Sequence, residues 1–520
     1  MTSISICVTS DIHGYIYPTN YREEVEKNMG LAKIASLIDR IRSEKEVILV
    51  DNGDFIQGSP FTYYFAAYKE AKRSPLIKIG NSLHYDMAIF GNHEFNYGIE
   101  YLKNVVNKTN YPWLAANILD KHTGEPFFGT PPYVTKEING IKITFLGITT
   151  HFIPHWEDPT HIRDLVFEDA CEAAHKWVKK VREEERPDLL VVSYHGGVER
   201  DPETGEATEA LTGENQAYQM CEEITGIDLL ITGHQHRFLT TTINGVPIIQ
   251  TGSNGKALGE IELAFNNKKE VTSIKPKLHY VKDDIRSNQP TIALIEEEEK
   301  LVQEWLDQPI TEVKGDMEIK DPFQARIEEH PFIEYINTLQ MKVADVDISC
   351  TALFHNQSPG FPKHVTMRDI VSNYVYPNTL KVLKLRGKDI KEAIEKNASY
   401  FTLNEAGELA VNSLFLEPKP EHYNYDMWEG IEYELNIANP IGNRVTKLLF
   451  QNKALEMDRF YSVVMNNYRA SGGGNYDMFR GKEIVKDIPI DMTELIANDL
   501  LNRNYLEAKC NHNFSVVVEK

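Results

Sequence analysis

Five cysteines in 520 residues (Cys7, Cys171, Cys221, Cys350 and Cys510) are too scattered for a disulfide framework, and no CxxC pair offers a zinc ribbon. A reducing compartment is the expectation. The chain also lacks an apolar run of 18 or more residues, and it opens Met1-Thr-Ser-Ile-Ser-Ile-Cys-Val without a basic start or a long apolar core. Both absences read as a cytoplasmic protein with no membrane attachment. Positive charge is scarce, since 55 Lys and Arg stand against 77 Asp and Glu, a formal net charge of −22. Such a field repels long nucleic acid and anionic membranes, but a metal cluster reverses the potential locally for a small phosphorylated ligand. No repeat recurs at a fixed period, and the run Glu296 to Glu299 is the one low-complexity segment.

With 42% hydrophobic and 25% charged residues, the chain is in the globular range, and its length implies two or three domains. Short β-branched runs alternate with helical stretches through the first half: Ile4 to Val8, Val47 to Val50, Tyr85 to Phe90, Ile141 to Leu146, Leu189 to Ser193 and Leu229 to Thr232. That is a layered α/β pattern. Leu31, Ile34, Ala35, Ile38 and Ile41 form a single apolar stripe, so Gly30 to Arg42 reads as a helix covering one sheet face. Thr291 to Asp307 reads as one connecting helix whose glutamates make a solvated face. The remainder mixes helices with strands as an α+β domain. The organisation expected is a first domain over 1–288, a linker helix and hinge over 289–321, and a second domain over 322–520.

Five strand ends carry hard-metal ligands: Asp11-Ile-His13, Gly53-Asp54, Gly91-Asn92-His93-Glu94, His195-Gly-Gly and Gly233-His234-Gln235-His236. Ligands bind outside the carboxyl ends of strands in open α/β sheets, where distant segments converge, and the adjacent glycines permit sharp turns. Carboxylate, imidazole and amide oxygen suit Zn, Mn, Fe or Mg. Seven ligands exceed one tetrahedral site and suffice for two divalent ions sharing a carboxylate, the arrangement that delivers a metal-bound hydroxide to a phosphoryl group.

The blocks DIHG, VDNGDFIQGSP, FGNHEFNYG, YHGG and TGHQH resemble the signature of the calcineurin-like metallophosphoesterases, and GLAKIASLID, GENQAY and QTGSNGKALGEIEL extend the likeness to the 5′-nucleotidase superfamily. The resemblance implies an N-terminal four-layer α/β sandwich joined by the linker helix to a C-terminal α+β substrate-binding domain. It implies one ion on Asp11, His13, Asp54 and His236, and a second on Asp54, Asn92, His195 and His234. His93 is then catalytic, standing between metals and ester to stabilise charge or protonate the leaving oxygen. Where 5′-nucleotidases pair this histidine with Asp, the chain has Asn96, and GNHEFNYG is similar to relatives acting as 2′,3′-cyclic-nucleotide 2′-phosphodiesterase and 3′-nucleotidase.

Tyr374-Val-Tyr376-Pro-Asn378 and Asn466-Asn-Tyr468-Arg469-Ala-Ser-Gly472-Gly473-Gly474 each set an aromatic beside amide or guanidinium groups. Both fall where the superfamily has its two stacking aromatics. A base clamped by Tyr376 and Tyr468, with Asn378, Arg469, Gly472 and Gly473 around it, is the implied substrate site. The function expected is hydrolysis of small nucleotides, 2′,3′-cyclic and then 3′-. The rivals are a 5′-nucleotidase or nucleotide-sugar hydrolase on the same ligands, a nuclease disfavoured by the missing basic stripe, and a non-catalytic nucleotide-binding protein.

Overall fold

The computed structural model describes residues 2–22, 25–68, 74–155, 157–209, 211–374, 378–416, 420–488 and 490–519. The chain divides into two units, Met1–Val302 and Gln303–Lys520. Among the described residues all five cysteines are free, and no helix is long and apolar enough to cross a membrane.

Two six-stranded sheets form the first unit. In one, Thr2–Thr9, Glu46–Asp51, Met87–Ile89 and Trp113–Leu114 run parallel in that order, with the antiparallel pair Ala257–Phe265 and Val271–Tyr280 beyond Thr2–Thr9. In the other, Ile141–Thr149, Leu189–His195, Leu229–Thr232 and Val246–Thr251 are parallel, flanked by Tyr133–Ile138 and Phe238–Ile243 as antiparallel edges.

The period of two along each strand decides what lies between the sheets. Ile4, Ile6, Val8, Ile48 and Val50 meet Ile143, Phe145, Leu189, Val191, Leu229 and Ile231 in one core. The alternate residues Leu190, Val192 and Tyr194 face outward, onto Ala174, Val178 and Val181 of the helix Ala170–Glu184. Leu31–Arg42 buries Leu31, Ile34, Ala35, Ile38 and Ile41, the stripe that the sequence predicts, and Leu37 beside it. Each such side chain contributes about 1.5–3 kcal/mol by leaving water. Helix, sheet, sheet, helix are the four layers expected.

The connecting helix departs from expectation. Instead of one helix there are two, Gln289–Ala293 and Glu296–Leu306, parted at Leu294 and Ile295. Pro290 and the Asn288 side chain, which accepts from the Thr291 N–H, fix the start of the first. All four glutamates fall in the first turn of the second, where the helix dipole favours negative charge. Nor are they all solvated: Glu298 and Glu299 are buried, Glu298 accepting from Lys78 at 2.5 Å and Glu299 from the Tyr21 hydroxyl at 3.0 Å.

The second unit centres on a five-stranded mixed sheet ordered Asp426–Glu429, Ile348–Ala352, Phe460–Asn466, Leu380–Arg386 and Ile484–Ile488. Helices Pro331–Ala344 and Gly387–Ala398 each bury an apolar face. The strand Glu432–Asn436 follows Asp426–Glu429 after a turn at Gly430, where φ is 83°.

Candidate metal centre

Five of the parallel strands in the two sheets of the first unit each hand over to a ligand candidate within a few residues. Thr9 leads to Asp11 and His13, Asp51 to Asp54, Ile89 to Asn92, and Thr232 to His234 and His236, while His195 ends its own strand. Five of these residues adopt left-handed backbone: Asp11 at φ 54°, His13 at 52°, Asp54 at 57°, His234 at 67° and His236 at 57°. Such a conformation costs a non-glycine residue roughly 1–3 kcal/mol and persists where neighbours enforce it. Here the Asp11 N–H donates to Gly53 O at 2.9 Å, His13 N–H to Asp54 O at 2.8 Å, and His234 N–H to Asp11 Oδ1 at 3.1 Å. The turns are therefore made largely by the candidates themselves. Gly91 is needed for room, since a Cβ there would lie 2.3 Å from Asp54 Oδ1.

Asp11, His13 and His236 form one group and Asp54, His195 and His234 another, each with ligand atoms within 4.8 Å of one another. Asn92 joins the second, its Oδ1 lying 3.2 Å from His195 Nε2 and 2.8 Å from His234 Nδ1. Three imidazoles are pinned by an acceptor on the nitrogen away from the group. His13 Nδ1 donates to Gln57 O at 3.0 Å, His195 Nδ1 to Asn52 O at 2.7 Å, and His234 Nε2 to Glu214 Oε1 at 3.0 Å. In each neutral ring this leaves the other nitrogen's lone pair facing the group, the tautomer a metal-binding histidine needs.

The donor set fits divalent cations on three further counts. Asp54 Oδ2 is buried without a hydrogen-bond partner. Asn92 Oδ1 and His234 Nδ1 lie 2.8 Å apart, close enough for both to face one cation. Among the described residues, the basic side chains in ion-pair reach of Asp11 and Asp54 are imidazoles, His236 at 3.4 Å and His195 at 3.2 Å. Burial opposes charge on His195, yet Asp54 and Asp11 outweigh it and push its pKa up to about 10. Burial likewise works against the Asp54 carboxylate, and His195 and His93 hold it well below the usual range.

His93 stands beside these groups. Its N–H donates to Asp54 Oδ1 at 2.8 Å, its ring lies edge-on to His13 at 5.3 Å between centroids, and its Nδ1 meets Asn96 Oδ1 at 2.6 Å. Two carboxylates that sequence reasoning passed over hold this region together. Glu214 orients His234 and sits in the GENQAY block. Glu94, fully buried, gathers the N–H groups of Asp54 at 2.8 Å, Gly91 at 2.6 Å, Phe55 at 2.7 Å and Ile56 at 3.3 Å, joining two ligand loops. The available signal was its place after Asn92-His93. Glu94→Gln turns an NH2 toward two of those donors and leaves them unpaired, at roughly 1–3 kcal/mol each. The expected result is a lower unfolding midpoint of metal-free protein together with weaker Mn binding. An unchanged midpoint would contradict the clamp.

In the second unit Tyr468 follows the strand Phe460–Asn466, is 39% exposed, and has the Tyr423 ring at 6.3 Å. A Cβ on Gly473 would come within 2.6 Å of the Tyr468 ring, so the ring lies against bare backbone. Gly472 turns at φ 91° in the same loop. Arg469 is 1% exposed, and its guanidinium is committed to Asp426 at 2.6 Å, to Tyr423 O at 2.8 Å and to Gly473 O, over the Tyr476 ring. These contacts make it a post supporting the loop that carries Tyr468. Asn378 is buried, and its carbonyl accepts from the Met492 N–H at 2.8 Å. Tyr376 lies outside the described residues.

The family described as Calcineurin-like phosphoesterase matches residues 4–238, and the 5′-nucleotidase C-terminal domain matches 309–481. A solved structure from Staphylococcus aureus, provisionally named a 5′-nucleotidase, is 37% identical with a TM-score of 0.88, over 99% of this chain and 100% of that one. The 2′,3′-cyclic-nucleotide 2′-phosphodiesterase/3′-nucleotidase of Salmonella typhimurium is 29% identical over 90% of this chain and 81% of its own. The trifunctional nucleotide phosphoesterase YfkN of Bacillus subtilis is 25% identical over 99% of this chain, which spans only 39% of that relative's length.

Proposed function

This chain belongs to the 5′-nucleotidase family and carries its calcineurin-like phosphoesterase domain, and from that premise we propose that it is a metal-dependent phosphoesterase that opens 2′,3′-cyclic nucleotides to 3′-monophosphates and then removes the phosphate. The pinning of His13, His195 and His234 by acceptors behind them carries the proposal. Asp11, His13, Asp54 and His236 hold one divalent ion, and Asp54, Asn92, His195 and His234 a second; Zn, Mn, Fe and Mg all accept such donors. Ions there supply Lewis-acid stabilisation of phosphoryl charge and a nucleophile at neutral pH.

His93 adds what the ligands do not. With Nδ1–H donated to Asn96, Nε2 is the nitrogen that takes up a proton from solvent and hands it to the leaving oxygen. The nucleobase stacks on Tyr468, paired with Tyr376. Tyr468→Ala then raises KM for nucleotides by the equivalent of about 1–3 kcal/mol while barely changing hydrolysis of bis(p-nitrophenyl) phosphate, which has no base. Equal losses on both substrates would make Tyr468 a packing residue.

The name of the Salmonella typhimurium relative and the amide at Asn96 support a 3′- over a 5′-phosphate substrate. The identity to the Staphylococcus aureus structure favours a 5′-nucleotidase as second reading. Phosphate release from 3′-AMP and 5′-AMP separates them. A kcat/KM at least about tenfold higher for 3′-AMP, worth ~1.4 kcal/mol, is expected, and the reverse order would install the second reading.

A further inference from the structure

Behind Asn96 stands a carboxylate that no motif marks. Glu157 is 7% exposed and far away in sequence. Its Oε2 accepts from Asn96 Nδ2 at 2.6 Å, and its Oε1 accepts from the Asp158 N–H and from His161 Nδ1, both at 2.9 Å. The chain of contacts runs His93, Asn96, Glu157, His161.

An ionised carboxylate only accepts hydrogen bonds, whereas a side-chain amide has one accepting and one donating end, and a neutral imidazole one of each. Glu157 therefore draws the NH2 of Asn96 and turns its oxygen to His93. That oxygen requires the ring proton on Nδ1. Without Glu157 the amide could flip and place NH2 against Nδ1, so that Nδ1 must accept and Nε2 must hold the ring's one proton; the ring could not then gain a second proton to give to the leaving oxygen.

We propose that Glu157 is a positioning residue for His93, fixing the Asn96 amide and through it the Nδ1–H tautomer. This rests on the role given above to His93. The negative charge that an Asp in the position of Asn96 would supply directly is here set one residue further back, with a neutral amide as relay.

The isosteric variant Glu157→Gln is the sharp test, because the geometry dictates which way the new amide turns. The Asp158 backbone N–H and His161 Nδ1 keep an oxygen at the Oε1 position, so the new NH2 occupies the Oε2 position and faces Asn96. Asn96 must then offer its oxygen, turning its NH2 toward His93 and reversing the ring tautomer. In metal-free protein with 15N-labelled histidine, His93 is expected to carry its proton on Nδ1 in the parent and on Nε2 in Glu157→Gln.

In metal-replete protein, kcat for 3′-AMP is expected to fall about 10–100-fold with KM nearly unchanged, the usual loss for a partner that orients a functional histidine. Adding Asn96→Asp restores both readouts, since that carboxylate accepts from the Gln NH2 with one oxygen and from His93 Nδ1–H with the other. An unreversed tautomer in Glu157→Gln overturns the proposal. So does an equal kcat loss with and without Asn96→Asp, which would mark Glu157 as a loop brace through Asp158 and His161. Should His93→Asn leave kcat intact, the proposed role of His93 falls, and the tautomer measurement still decides for or against Glu157.

Discussion

Asp54→Asn is expected to abolish turnover and strip the centre of its ions while leaving the fold in place. Asp54 is 1% exposed, receives the His93 N–H on Oδ1, and has a buried Oδ2 without a hydrogen bond beside His195. An amide keeps the shape but removes the charge and turns an NH2 into the group where a cation should sit. Loss of charge stabilisation worth several kcal/mol corresponds to roughly 10³-fold or more in kcat. Elemental analysis of Mn-loaded and Zn-loaded protein should give two ions per chain in the parent and fewer than one in the variant. A variant that keeps both ions would remove Asp54 from the bridging position.

His93→Asn separates catalysis from metal binding. The ring lies outside both groups of converging ligand atoms, so the metal content should match the parent. Removing a positioned proton donor or charge stabiliser lowers kcat by roughly 10²–10⁴-fold with KM nearly unchanged. Loss of an ion in this variant would make His93 a ligand instead.

How much of this could be read from sequence depends on where each signal lies. The strand-end blocks are legible because each ligand stands within a few residues of the apolar run that positions it, whereas Leu189 to Val192, apolar throughout, does not tell the inter-sheet face from the helix face. The acceptors that pin the imidazoles are harder to find. Two of them, Gln57 O and Asn52 O, are backbone carbonyls with no residue signature.

Glu157 is reached only through tertiary folding, and nothing local sets it apart from other glutamates. The glutamate run misleads for a physical reason: a charge-rich helix face is normally solvated, but Lys78 and Tyr21 supply partners that let Glu298 and Glu299 be buried. Arg469 is a similar case. Its place beside Tyr468 suggests a ligand contact, while its partners Asp426 and Tyr476 come from elsewhere in the second unit.

Metal chemistry and ribose orientation are tested together by a 31P NMR time course of 2′,3′-cyclic AMP with Mn-replete protein, repeated after chelation. The predicted course is appearance of 3′-AMP, then inorganic phosphate, with neither formed once the metal is removed. Accumulation of 2′-AMP, turnover that survives chelation, or no reaction by protein that hydrolyses 5′-AMP would contradict it.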